Sequence, residues 1–329
     1  MKKKAKKLSK AKLWSIITVS IAIFISLVLI VTNIFIPVKY IASYIVTGKR
    51  TKAGTMRVTF VDVGFGDCII VELPDGKNML IDGGNGRYSN NSKILKELNR
   101  RDIDTVDYLV CTSVNSEHCG GLAEVIKYKS VKTVYMPYCT NKYITEEFCD
   151  FVEQAQKCGA EQIFNEYKTG VGADEYFFTF LSPSLIGRED GEYQALNTNP
   201  SKSTRCNSSA VLWLEYAETA FLFTSDAGKS VLNSIVDTYT IIAADYPVKL
   251  ENCKIVQLAG HGDAFSASAA FYDLLNPEMA VISVGENGSG CPSIQAMSDV
   301  INSVGSNLYR TDERGNITIE VTAEGYTVK

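Results

Sequence analysis

Imidazole is scarce in this chain of 329 residues: the only two histidines are His118 and His261. Two imidazoles are too few to hold a pair of zinc ions in the usual way, because zinc sites draw most of their donors from His, Cys and carboxylate side chains. No pair of the nine cysteines has CxxC spacing, which excludes a structural zinc knuckle. Proline is also sparse, at eight residues, and no Gly/Ser or Pro/Gln tract interrupts the sequence. The chain therefore offers no flexible linker and reads as one large domain rather than two. A Walker-type phosphate loop and a GxSxG nucleophile elbow are both absent, which excludes P-loop nucleotide chemistry and serine-hydrolase chemistry of the α/β-hydrolase kind.

Positive charge is scarce outside the first twelve residues. That tail carries seven lysines and no acid, whereas the whole chain has 33 Lys+Arg against 37 Asp+Glu. Setting the tail aside leaves 26 basic and 37 acidic side chains, a balance of −11. Binding to phosphate backbones rests on clustered Lys and Arg, so nucleic acid is not expected as a general partner; an unidentified small molecule or protein is. From Leu13 to Val38 no charged residue occurs, and a run of that length exceeds the ~20 apolar residues needed to cross a bilayer. The expectation is a single transmembrane helix over 13–38 in the plasma membrane. Its lysine tail (1–12) would be cytoplasmic, with a stalk over 39–56 and an extracytoplasmic domain over 57–329. Cys68 and Cys111 lie inside apolar strand patterns and read as small buried hydrophobes; no disulfide is predicted.

The remaining sequence alternates strand and helix signals. MRVTFVDV, CIIVELP and NMLIDGG give three strands separated by a Gly-rich turn and by PDGK. SKILKELNRRD then carries a helical stripe at Ile94, Leu95 and Leu98, followed by the buried strand VDYLVCT. Further strands are expected in KTVYMP, EYFFTFLSP, SSAVLWLEY, AFLFTSD, CKIVQLA, MAVISVG, NITIEV and YTVK. Helices are expected in GLAEVIKY, EEFCDFVEQAQKC and SIQAMSDVINSVG. Interleaved strands and helices indicate α/β layers.

Six segments in order, FVDVGFGDCIIVELPDGKNMLIDGG, LVCTSVNSEHCGGL, FLFTSDAG, LAGHGDAFS, AVISVGENGSGCP and YRTDERGNITIEV, resemble the extracytoplasmic hydrolase domain of ComEC-type competence (DNA-uptake) proteins. That domain is a branch of the metallo-β-lactamase superfamily. The resemblance spans about Arg57 to Val321 and implies an αββα sandwich with its site at strand ends between two sheets. It also implies a two-metal loop, His-x-His/Asp-x-Asp-His, in which this sequence has Ser113, Asn115, Glu117 and His118. By the same resemblance an intermediate histidine falls at Asn207, so Ser113, Asn115 and Asn207 leave the first metal position degenerate. The second position retains Glu117, His118, the bridging Asp226 and His261 as metal ligands, with Glu117 and Asp226 as catalytic carboxylates. Here Gly260 replaces a histidine, Asp263 follows as a substitute carboxylate, and Cys291 stands where the family has a substrate-side histidine. Asp82 reads as a group orienting ligands or as a turn former, and Phe65 replaces a glutamine. Asp62 and Asp67 read as turn carboxylates, and Asp312 as part of a hairpin turn.

Two classes of function follow. The lost imidazoles and acidic surface favour a pseudo-hydrolase that binds a ligand or partner in its former catalytic cleft, with no ion bound. The surviving ligands support the alternative, a hydrolase with at most one zinc or manganese ion acting on phosphodiesters or other esters. A DNA-uptake role is a minor third reading that rests on family analogy.

Overall fold

A computed structural model describes residues 51–139, 144–183, 201–305 and 307–329, together with Trp14, Thr18, Val19, Ser20, Ile21, Ile23 and Phe24. The first sheet orders its strands β15-β14-β1-β2-β3-β4-β5-β6. In chain order these are β1 (Met56–Phe60), β2 (Ile69–Glu72), β3 (Asn78–Ile81), β4 (Thr105–Val110), β5 (Ser130–Met136), β6 (Glu161–Phe164), β14 (Ile317–Thr322) and β15 (Gly325–Val328). The second orders β13-β12-β11-β10-β9-β8-β7. It comprises β7 (Gly170–Gly172), β8 (Tyr176–Ser182), β9 (Val211–Tyr216), β10 (Thr219–Phe223), β11 (Cys253–Gln257), β12 (Met279–Ile282) and β13 (Leu308–Arg310). β3 to β6 run parallel, as do β10 to β13, and the remaining pairs are antiparallel.

Side-chain alternation along single strands shows why both sheets are buried twice over. In β2, Ile69 and Val71 enter one core while Ile70 enters another. In β10, Phe221 and Phe223 join the first core and Ala220 and Leu222 a third. The shared core mixes residues of both sheets, with Phe60 of β1 and Phe223 of β10 at 6.1 Å between ring centroids. A strand buried on both faces reads as a continuous apolar run, which accounts for CIIVELP and AFLFTSD. Outside the first sheet pack α1 (Tyr88–Arg100), α3 (Leu122–Tyr128) and α4 (Glu146–Lys157) through Ile94, Leu98, Val125, Phe148 and Phe151. Outside the second pack α6 (Lys229–Ile242), α7 (Ala269–Leu275) and α8 (Ile294–Val304) through Leu232, Ile235, Phe271 and Val300. The layers are helix, sheet, sheet and helix, as the resemblance implied.

One charged network is buried within this frame. Arg101, fully buried, pairs with Glu97 and Glu72. Arg57 reaches Glu72 at 3.1 Å and Glu320 at 2.8 Å. Arg101 also donates to Thr59 at 3.2 Å. No disulfide joins any of the nine cysteines, and Cys68 and Cys111 are buried as expected.

Two expectations are overturned. No helix among the described residues is long and apolar enough to cross a membrane. A span needs ~20 consecutive apolar residues in one helix, and within 13–38 only the seven residues named above are described, as helix. The rest of that run, the tail 1–12 and most of the stalk lie outside the described residues. The single-pass, plasma-membrane assignment therefore does not stand. The second correction is small. Asp312 sits in a helical turn, α9 (Thr311–Arg314), where Arg310 donates to its carboxylate at 2.7 Å, rather than in a hairpin turn.

Candidate metal centre

Every side chain of the site but one leaves the carboxyl end of a parallel strand. Asp82 follows β3, Thr112 to His118 follow β4, Asp226 follows β10, His261 follows β11 and Ser283 follows β12. In open parallel sheets this is where crevices form. The exception, Asp67, closes the turn between β1 and β2.

Backbone contacts between segments distant in sequence fix the loops. Asp67 N donates to Glu117 O at 3.0 Å, Gly83 N to His118 O at 2.6 Å, and Gly84 N to Asp67 O at 2.7 Å. Glycine is required for this proximity: a Cβ on Gly121 would stand 2.2 Å from Gly83 O. α2 (Ser116–Cys119) is thereby pinned against the Gly83-Gly84 turn, with His118 directed inward and fully buried.

Both imidazoles are anchored through Nδ1. His118 Nδ1 lies 2.8 Å from Asp82 Oδ2 and 3.4 Å from Asp67 Oδ2. Asp82 is itself held by donations from Thr112 N at 2.8 Å and Thr112 Oγ1 at 2.5 Å. His261 Nδ1 donates to the Ser283 carbonyl at 2.9 Å and stands 3.5 Å from Asp67 Oδ1. The opposite ring nitrogens face Asp226, His118 Nε2 at 3.1 Å from Oδ2 and His261 Nε2 at 3.8 Å from Oδ1. Among the described residues neither Nε2 has a hydrogen-bond partner although both are buried, and Asp67 Oδ1 likewise accepts no hydrogen bond. The two rings stack at 5.3 Å between centroids, and Phe65 covers His261 at 4.5 Å.

Strain marks the same place. Eight non-glycine residues have positive φ among the described residues, and three of them are Asp82 (60°), Ser225 (50°) and His261 (56°). Each such residue costs roughly 1–3 kcal/mol, and they collect at functional sites.

These residues fit one ion. His118, Asp226 and His261 present ligand atoms within 4.8 Å of one another, as do Asp67, Asp82 and His118. Donors at about 2.0–2.1 Å from a tetrahedral zinc stand about 3.3 Å apart, close to the 3.1 and 3.8 Å separations here. Two orphaned imidazole nitrogens and a carboxylate form a three-ligand set, and the anchored Nδ1 atoms are the usual support for such ligands.

The other expected residues stand as follows. Glu117 is half-buried and belongs to neither converging group. Ser113 Oγ accepts from Asn115 N at 3.3 Å, and Asn207 Oδ1 accepts from Ser230 at 3.1 Å. At Gly260 φ is +60°, and a Cβ would meet Asp263 Oδ1 at 2.5 Å and Ser266 Oγ at 2.6 Å, so a histidine here would have to displace both side chains. Asp263 accepts from Ser266 N at 2.8 Å, and Cys291 lies half-buried with Sγ 4.0 Å from Gly260 O. Neither joins the converging donors. Asp67 is the member of the cluster that the sequence presents as a turn former. The signal for it was a charged residue placed directly before the fully buried run Cys68 to Val71.

Burial and pairing push the titrations in opposed directions. Burial would lower the His118 and His261 pKa values, yet Asp226 and Asp82 raise His118 well above its usual value. Asp67 and Asp226 raise His261 to about 9. Burial would raise Asp67 and Asp226, but the imidazoles hold both below the usual carboxylate range. For Asp82 burial wins and its pKa rises.

The sign of the pH dependence follows. A histidine raised from 6.5 to about 9 adds stability that is complete below 6.5 and lost as pH rises through 9. At 1.36 kcal/mol per pH unit this is about 3 kcal/mol for His261. Asp67 and Asp226, depressed below 3.8, add stability present above that value and lost in acid. In a chelator, denaturant melts are expected to show the domain weakening from pH 6.5 to 9.5. Equal midpoints across that range would contradict the pairing. A bound cation reverses the trend, since it requires neutral imidazole.

The metallo-beta-lactamase superfamily model matches residues 61–254, more than half of the chain. The chain belongs to that superfamily. ComE operon protein 3 of Bacillus subtilis is 23% identical over 276 residues, covering 79% of this chain but only 32% of that protein. The chain thus spans about a third of its curated relative. Among solved structures, CmlA, a diiron beta-hydroxylase from Streptomyces venezuelae, superposes with a TM-score of 0.52 at 14% identity, over 80% of this chain and 53% of its own. The metallo-beta-lactamase fold protein YhfI from Bacillus subtilis gives 0.49 at 11%, over 81% and 99%.

Proposed function

We propose that this metallo-beta-lactamase-fold domain holds a single zinc or manganese ion at His118, Asp226 and His261 and hydrolyses a small phosphodiester or another ester. The observation that carries the reading is the pair of buried, unbonded Nε2 atoms aimed at one carboxylate. Leaving two such atoms unsatisfied costs several kcal/mol unless a cation or protons occupy them. A divalent ion supplies Lewis acidity, polarising a phosphoryl or carbonyl oxygen and making water more acidic.

The chain's own groups do the rest. Asp82 and the Ser283 carbonyl fix the tautomers by holding each Nδ1–H. Asp226 stays ionised between the two rings. A cavity of about 170 Å³ lined by Lys202, Ser203, Cys206, Asp263 and Phe265 adjoins the site, with the Cys206 thiol 3.8 Å from Asn115. Lys202 there supplies the positive charge that an anionic ester needs. A larger groove of about 620 Å³ near Tyr176, Glu215 and Tyr246 contains none of the site residues.

The second reading, an ion-free binding module, is favoured by the raised imidazole pKa values, because two protonated rings among three carboxylates largely neutralise the cluster without metal. Elemental analysis of protein dialysed after loading with zinc or manganese separates the two. One ion per chain is expected. None retained would leave the binding module.

A further inference from the structure

Asp226 receives a second positive influence, at Oδ2, the oxygen that His118 Nε2 also faces. Asn115 caps the N-terminus of α2, a position at which an asparagine side chain ordinarily accepts from the helix backbone. It makes no such bond. Instead its Nδ2 donates to Asp226 Oδ2 at 2.8 Å, and its Oδ1 accepts from Arg205 Nε at 2.8 Å. The amide is 4% exposed, and Arg205 comes from α5 (Lys202–Asn207), 90 residues away in sequence.

A second metal ion does not fit here. Of the three positions that would ligate it, Ser113 and Asn207 are turned to local partners, and Asn115 presents to Asp226 a donor N–H where an ion would need a lone pair. We infer that the Arg205 guanidinium, relayed through Asn115, is a built-in substitute for that second cation. The two bonds run in one direction, Arg to Asn to Asp, so the charge polarises the amide and strengthens its donation. Asp226, which in a two-ion site is shared between metals, is here shared between one ligand set and a fixed organic cation. The chain is thereby limited to one ion by charge as well as by missing ligands. For the site at His118, Asp226 and His261, this inference rests on the one-ion reading above.

The test restores ligands with and without the guanidinium. The S113H/N115D variant regains the family's His-x-Asp pattern but keeps Arg205, which would pair with the new carboxylate. Zinc titration followed by elemental analysis is expected to give no ion beyond the wild-type number. Adding R205A is expected to admit one further ion, and adding R205K in its place is not. A further ion in S113H/N115D or in the R205K version, or none in the R205A version, overturns the inference. Circular dichroism checks each fold. Should the multiple variants unfold, the single variants decide: R205A is expected to raise apparent zinc affinity about tenfold, as for loss of one nearby unit charge, and R205K to leave it unchanged. Equal affinity in R205A and wild type overturns the inference. If wild type retains no zinc, the one-ion reading fails on its own, while the difference between the R205A and R205K versions still reports on Arg205.

Discussion

His118→Ala is expected to lower zinc affinity by more than about 100-fold, beyond the 10–100-fold typical of losing a group that only supports a ligand. Three contacts converge on this ring. Asp82 and Asp67 lie against Nδ1, and Asp226 faces Nε2 at 3.1 Å. The variant also leaves three buried carboxylates with one imidazole among them, so its fold is weakened. Asp82→Asn is the companion measurement. The amide retains much of the shape but supports the imidazole less, and the expected loss is 10–100-fold. Competition titration against a chromophoric chelator reads both variants. Wild-type affinity in His118→Ala would mean that ions bind elsewhere.

Arg101→Met is expected to cost about 3–5 kcal/mol of stability, the range for removing one partner of a buried charge pair. Arg101 is fully buried against Glu97 and Glu72, whose side chains are themselves 5% and 3% exposed. Methionine fills the aliphatic volume but leaves Glu97 paired with Arg100, and Glu72 with Arg57 and the Thr51 N–H. Adding Glu97→Gln should recover part of the loss, because the stranded charge is then gone. Urea denaturation of the two single variants and the double closes the cycle. A loss below about 1 kcal/mol in Arg101→Met would show that water reaches the network.

The sequence was most legible where burial is two-sided and strands are short. The run from Val58 to Gly84 displayed β1 to β3 because its apolar residues serve two cores at once. α6 was illegible for a local reason. KSVLNSIVDTYTII is rich in β-branched residues that suit a strand, and it is helical because Leu232, Ile235 and Tyr239 form one stripe against the third core. Of the proposed ligands, His118, Asp226 and His261 were visible as residue types in a familiar order. Glu117 shows what such order lacks. Adjacent positions on a one-turn helix face different ways, and its half-buried carboxylate is not in the cluster while the neighbouring ring is. Asp67 escaped because a turn carboxylate and a buried counter-ion share one sequence signature, and only the fold brings the second histidine to it.

The amide-to-carbonyl bonds that join Asp67, Gly83-Gly84 and the Glu117-His118 turn involve no side chain. A scaffold stitched together in this way can exchange histidine for serine or asparagine at its rim without coming apart. The shape of the cleft is thus set apart from the identity of the side chains that line it.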